Sequence, residues 1–254
     1  MHPSILNFRM EIKVSNKPLV LITGASSGMG AATARAFDLA GYPTLIIARR
    51  LELLKKLNLS HAQLLGADVR DVNAIEAAIA EAEAKFGEVD LLVNNAGIMP
   101  LGAIQTQNNQ EWRSMFEVNV LSLLEITQLV LPKMTARSHG TIINIGSVAG
   151  RNIYDNHAAY CGSKFAVHAI SEGMRKEVAN RNVRVTVIAP GMVETELLNS
   201  TDNPEVVAGY QEYKQSIGGA MPAHVVASLI LSVYEQPQEI CIREIVLAPT
   251  QQDA

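Results

Sequence analysis

The stretch "PLVLITGASSGMG", residues 18–30, decides how this chain folds. Leu19 to Ile22 form an unbroken apolar run, and Gly24, Gly28 and Gly30 follow within a few residues. A short apolar run without alternation reads as a strand buried on both faces, which requires a parallel sheet covered by helices. The next segment, "MGAATARAFDLAG", has helical spacing and closes on Gly41, so the glycines fall at a strand-to-helix turn. Backbone without Cβ atoms can approach a pyrophosphate there, and a helix N-terminus favours its charge. The spacing is GxxxGxG, which departs from the GxGxxG of many dinucleotide folds.

The same residues support a rival reading, because "GASSG" also fits the GxSxG nucleophile elbow of α/β-hydrolases. A hydrolase serine follows several strands and a loop that supplies an oxyanion hole, whereas Ser26 follows the first strand. His157, His168 and His224 stand in no triad context. Position along the chain therefore favours the dinucleotide.

Outward from the turn, the strand–helix unit repeats. "PTLIIAR", "AQLLGADV", "VDLLVNNAG", "GTIINIGS", "VRVTVIAPG" and "CIREIVLAP" read as further strands. Helices are expected at "RLELLKKLN", at "DVNAIEAAIAEAEAKFG" with Asp71 as cap and Gly87 as stop, and near 109–135, 158–180 and 222–235. The pattern predicts α/β architecture: a single-domain Rossmann-type doubly wound parallel sheet of about seven strands, helices on both faces, spanning 17–254. Residues 1–16 are expected to be a flexible extension, with Met10 an alternative start. The polar segment 191–221, bounded by Pro190-Gly191 and Gly218-Gly219, reads as a mobile substrate lid.

Composition narrows the function. The 254 residues are 48% hydrophobic, enough for one well-filled core. A net charge of −4 gives no electrostatic footprint for nucleic acid or an anionic membrane. No apolar run approaches the length of a membrane span, and the first residues lack the apolar centre of a signal peptide. Cys161 and Cys241 are too few for a disulfide framework, which points to a reduced, cytoplasmic setting. The six histidines show no metal-ligand spacing, so no metal is expected.

The second strand ends in Ala48-Arg49-Arg50, where an NAD binder commonly places a carboxylate for the ribose 2′-hydroxyl. An arginine fork can instead hold a 2′-phosphate, so NADP(H) is favoured over NAD(H), with Arg49 the leading residue and Ser26 an extra donor. Further on, Tyr160 and Lys164 stand one helical turn apart on one face. A free phenol titrates near ~10. A neighbouring ammonium would lower that value and make Tyr160 a usable acid–base group for alcohol–carbonyl exchange.

"TGASSGMG", "NNAG" (94–97), "VNV" with Asn119, "IGS" with Ser147, "YCGSK" and "PGMVET" (190–195) occur in that order. The set resembles the short-chain dehydrogenase/reductase family from about residue 17 to the last strand. The resemblance implies Asn119, Ser147, Tyr160 and Lys164 as the catalytic set. Tyr160 would be the acid/base, Lys164 its tuner and ribose ligand, and Ser147 the donor to the substrate oxygen. Asn119 would bend the long helix around a water that links Lys164 to solvent. Gly24, Ser26, Ser27, Gly28, Met29, Gly30, Arg49, Arg50, Asp68, Val69, Asn95, Ala96 and Gly97 would contact the dinucleotide. Pro190, Gly191, Val193 and Thr195 would pass over its nicotinamide. Cys161 is given no redox role.

For the substrate, Arg151, Tyr154 and His157 are polar candidates beside Ser147, Arg151 as a carboxylate receptor or as an ion-pair partner of Asp155 or Glu194. "GRNIY", "PGMVETEL" and "IREIVLAPTQQ" resemble a subgroup of NADP-dependent 3-hydroxy acid and serine dehydrogenases. That implies a small 3-hydroxy acid, the alternative being broad reduction of aldehydes, ketones or diketones. A non-catalytic dinucleotide sensor is the reading from another class; such relatives usually lose the tyrosine or lysine, and both are kept here. The helices near 109–135 and 158–180 are apolar around most of their circumference, which predicts a further partner surface. The family resemblance implies that these two helices pair subunits, in a homotetramer or else a dimer.

Overall fold

The computed structural model describes residues 17–253; the expected flexible extension at 1–16 lies outside the described residues. Seven parallel strands form one sheet in the order β3-β2-β1-β4-β5-β6-β7. They are β1 (Leu19–Thr23), β2 (Thr44–Ala48), β3 (Ala62–Gly66), β4 (Val89–Asn94), β5 (Gly140–Ile145), β6 (Val183–Pro190) and β7 (Glu244–Leu247). Every residue of β1, β2, β4, β5 and β6 is buried, which is why these runs are apolar without alternation. The two edges, β3 and β7, are only partly buried.

Helices cover both faces. One face packs α3 (Val72–Phe86), α5 (Ser122–Ala136) and α6 (Ala158–Val178) through Ile75, Ile126, Val130, Val167 and Met174. The other packs α1 (Gly28–Leu39), α2 (Leu51–Lys55) and α8 (Ala223–Tyr234) through Phe37, Leu54, Val226 and Ile230. Asp71 caps α3 by accepting from the Ala74 N–H at 3.1 Å, and Gly87 ends it at φ 88°. Strand order reverses between β1 and β4, so the crevice for a ligand opens above their carboxyl ends.

Two regions differ from the sequence reading. The helix expected over 109–135 is α4 (Asn109–Phe116) and α5 joined by a π-helical stretch, Glu117–Leu121. At 28 residues, Asn109–Ala136 is also long and apolar enough to cross a membrane by length and composition, which corrects the expectation that no run reaches that length. Its apolar residues serve two surfaces: Leu123, Ile126 and Val130 meet the sheet, while Phe116, Leu121 and Leu124 are exposed. The second difference is 191–221, read as a mobile lid with no helix predicted in it. It contains the 3-10 turn Leu197–Ser200 and α7 (Pro204–Ser216), capped by Asn203, whose side chain accepts from the Glu205 and Val206 N–H groups. No α7 residue is fully buried, so the apolar signal was too weak to announce a helix.

Candidate active site

A cavity of about 1020 Å³ runs over the switch point from the glycine turn to α7. Its floor at β1 and β4 is cross-tied. Thr23 Oγ1 accepts from the Asn95 and Ala96 N–H groups, both at 3.1 Å, and Asn95 Nδ2 donates to the Thr23 carbonyl at 2.9 Å. These bonds bring the glycine turn and "NNAG" into van der Waals contact: a Cβ at Gly30 would lie 2.4 Å from the Gly24 oxygen and 2.5 Å from Asn95 Nδ2. Gly24 also needs a left-handed backbone, φ 67°.

The residues present fit a dinucleotide. Ser27 precedes α1 in an extended conformation but makes no side-chain cap, and no carboxylate stands in the first turn. The orphan N–H groups of that turn are therefore not matched by any side chain of α1 and suit an anion. Arg50 lies beside them, donating to Ser26 Oγ at 3.2 Å, Ser27 Oγ at 3.1 Å and Glu196 at 2.6 Å. Sequence ranked Arg49 first; both line the cavity, but Arg50 is the one tied to the turn. Asp68 and Val69 line the same end. The Arg70 fork bonds both Asp68 oxygens at 2.9 Å and, despite opposing burial, lowers its carboxyl to about 2.

At the other end, β5 and α6 bring Ser147, Tyr160 and Lys164 together, each under a tenth exposed. Ser147 caps the 3-10 turn Val148–Gly150, accepting from the Ala149 N–H at 3.0 Å, and its hydroxyl also bonds Tyr160. Lys164 Nζ donates to the Ile145 carbonyl at 2.8 Å and sits 5.9 Å from the Tyr160 ring centre. Burial pushes the Tyr160 phenol up, the Ser147 bond only partly opposing it, and brings the Lys164 ammonium down to about 8. The expected acidification of Tyr160 by Lys164 is not found: Ser147 is the group that opposes burial at the phenol, and desolvation disfavours the charged form of both residues.

Asn119 lies on the π-helical stretch, where an extra residue per turn re-aims a side chain. Its amide accepts from the Ile98 N–H at 2.9 Å and donates to the Ile98 carbonyl at 3.0 Å and to Ser163 Oγ at 3.1 Å. Ser163 in turn donates to the Tyr160 carbonyl at 2.8 Å. Sequence missed Ser163, although its place one residue before Lys164 was a usable signal.

Pro190, Gly191, Val193 and Thr195 line the cavity, as do Gly97 and Met29. Gln252, near the chain's end, accepts from the Met192 N–H at 2.8 Å and fastens this loop, a contact with no local sequence signal. The substrate end is closed by Tyr154, His157, Tyr210 and Val206. The Tyr154 hydroxyl is buried beside Asn152. His157 donates from Nδ1 to the Asp155 carbonyl at 2.6 Å, since a carbonyl can only accept, and burial lowers its pKa.

Arg151 is a correction. It does not line the cavity; it bonds Glu244 of β7 at 2.6 Å. An ion pair was one expectation, but with Asp155 or Glu194. Glu194 instead takes Lys214 at 2.6 Å, and the true partner arrives 93 positions later through the β6–β7 pairing.

A switch-point cavity with an anion-suited helix start is the binding crevice of Rossmann-type folds, and here its other end carries a buried phenol and amine. A family model described as short chain dehydrogenase matches residues 18–205. An uncharacterized oxidoreductase of Staphylococcus saprophyticus is 34% identical over 240 residues, covering 92% of this chain and 96% of its own. The closed form of serine dehydrogenase complexed with NADP+ superposes with a TM-score of 0.86 at 31% identity, over 93% of this chain and 96% of that one. Serine dehydrogenase from Escherichia coli gives a TM-score of 0.80 at 30% identity, over 93% and 100%. The chain belongs to the short chain dehydrogenase family and is an oxidoreductase of the alcohol–carbonyl class.

Proposed function

We propose that the protein is an NADP(H)-dependent oxidoreductase that interconverts a small neutral carbonyl compound and its alcohol. One observation carries this reading: the Ser147–Tyr160 hydroxyl pair and Lys164 close the cavity whose opposite end holds the glycine turn and Arg50. NADPH supplies the hydride when bound. Ser147 donates a hydrogen bond to the carbonyl oxygen, and Tyr160, kept protonated by burial, delivers a proton to that oxygen as charge develops on it. Lys164 holds a positive charge beneath the phenol and offers its ammonium to the ribose. Arg50, with Ser26 and Ser27, would take the 2′-phosphate, and the serine dehydrogenase neighbour holds NADP+.

A carboxylate-bearing hydroxy acid fits less well. Around the substrate end the cavity is lined by Asp155 and Glu205, and Arg151 is turned away to Glu244. His157, held toward its neutral form, presents Nε2 as an acceptor. The segment 191–221 acts as a lid in this reading, α7 resting Val206 and Tyr210 against Met99 and Leu101.

The deciding experiment is NADPH consumption with a panel of aldehydes, ketones, diketones and hydroxy or keto acids. Neutral carbonyls are expected to be reduced, and Tyr160→Phe to lower turnover by about 10²–10⁴-fold with NADPH binding kept. Turnover near wild type in that variant defeats the assignment; a strong preference for acids defeats the substrate class alone. Exposed Phe116 on α4, Leu121 on the π-helical stretch, Leu124 on α5 and Phe165 on α6 support assembly through these helices. A homotetramer is expected by light scattering.

A further inference from the structure

The Ser147 main chain is held from behind. Its N–H points at the His168 ring of α6, with Nε2 at 3.4 Å. The other ring nitrogen, Nδ1, lies 3.1 Å from Glu244 Oε1 at the start of β7, and Glu244 Oε2 takes Arg151 at 2.6 Å. An N–H can only donate, so Nε2 carries the lone pair and Nδ1 carries the proton, given to the carboxylate. The ring is wedged between two glycines: a Cβ at Gly146 would fall 2.4 Å from Nε2, and one at Gly150 would fall 2.6 Å from it. Neither His168 nor Glu244 lines the cavity, so neither can touch the reacting atoms.

We infer that His168, oriented by Glu244, is a positioning residue that holds the Ser147 backbone so that the Ser147 hydroxyl meets the substrate oxygen beside Tyr160. The inference rests on the role proposed above for Ser147. It requires a neutral imidazole, because a proton on Nε2 would set donor against donor at the Ser147 N–H. The groups facing the ring are Glu244 from β7, Lys164 one turn earlier on α6, and Arg151 after the 3-10 turn. Burial is the largest influence and holds His168 below its ordinary value; Glu244 and, least of all, a Ser147 backbone contact oppose this, while Lys164 and Arg151 add to it. The contact is therefore intact at neutral pH and breaks on acidification through the His168 titration.

The test compares His168→Leu, His168→Gln and Glu244→Gln with wild type. His168→Leu is expected to lower kcat for carbonyl reduction by about ten- to a hundredfold, as small misplacements at a reacting centre do. KM for the carbonyl and Kd for NADPH, read by fluorescence quenching, stay nearly unchanged. His168→Gln, with an acceptor of similar reach that cannot titrate, recovers most of the rate and lacks the acid limb of the wild-type kcat profile. Glu244→Gln removes the influence that raises the His168 pKa, so that limb moves to lower pH. An unchanged kcat in His168→Leu overturns the inference, as does equal loss in His168→Leu and His168→Gln with the acid limb retained. Should His168→Leu lack a cooperative melt, Glu244→Gln decides, and an unmoved limb overturns it. Absence of any wild-type turnover defeats the functional reading instead. The contact is then read from ¹⁵N shifts of His168: protonation on Nδ1 is expected, and on Nε2 overturns it.

Discussion

The two ends of the cavity are built from different materials. At the glycine turn the wall is backbone: Gly24 against Ala96, Gly30 against the Gly24 carbonyl, and the Thr23–Asn95 bonds that lock β1 to β4. At the substrate end the wall is side chains, Tyr154, His157, Tyr210 and Val206, carried on a turn and on a helix with no fully buried residue. A backbone wall has no alternative rotamers and tolerates no added atom. A side-chain wall can change its chemistry without disturbing the sheet, so cofactor recognition is fixed while substrate choice stays adjustable.

The sharpest way to break this contrast is to add one methyl group at each end. Gly30→Ala forces its Cβ to 2.4 Å from a carbonyl oxygen, and overpacking of that kind costs about 1–3 kcal/mol. A lower melting midpoint is expected, and where that strain falls on the bound form the dinucleotide Kd rises by about five- to a hundredfold, since each 1.4 kcal/mol is tenfold. A variant that binds as wild type would mean the turn is softer than its contacts indicate. Next comes pH. Lys164 titrates at about 8, depressed by burial, so its charge is present below that value and lost above it. The reductive rate should fall above pH about 8, and Lys164→Arg, slower overall, should lose that limb because a guanidinium does not titrate there.

A smaller effect is expected at Glu196. It competes with any phosphate for Arg50, and both side chains are about half exposed (50% and 49%). Exposed pairs contribute about 0.2–1 kcal/mol, so Glu196→Gln should tighten NADPH by a few-fold at most and leave NADH unchanged. Looser NADPH binding would place Glu196 among the cofactor's ligands rather than its rivals. The least effect belongs to the counterpart of the first test. A Cβ at Gly209 of α7 meets nothing within 4 Å, so Gly209→Ala should keep binding intact and gain up to about 1 kcal/mol of helix propensity. Measurable loss of carbonyl affinity there would show that α7 presses closer to the substrate than its spacing suggests.

Sequence alone determined the strands and the face-covering helices, because burial on both sides of a parallel sheet leaves no room for polar alternation. It also located the glycine turn, the Arg49-Arg50 pair and the Tyr160–Lys164 stripe, since each is a short-range pattern written within one turn or one helix. What it could not determine depends on residues distant in the chain. Arg151 looked like a carboxylate receptor until β7 brought Glu244 beside it. The π-helical re-aiming of Asn119 and the Gln252 clasp on Met192 follow from packing, not from local preference. The protonation of Tyr160 was likewise decided in three dimensions: spacing put an amine next to a phenol, but burial, a property of the whole fold, determined which influence prevails.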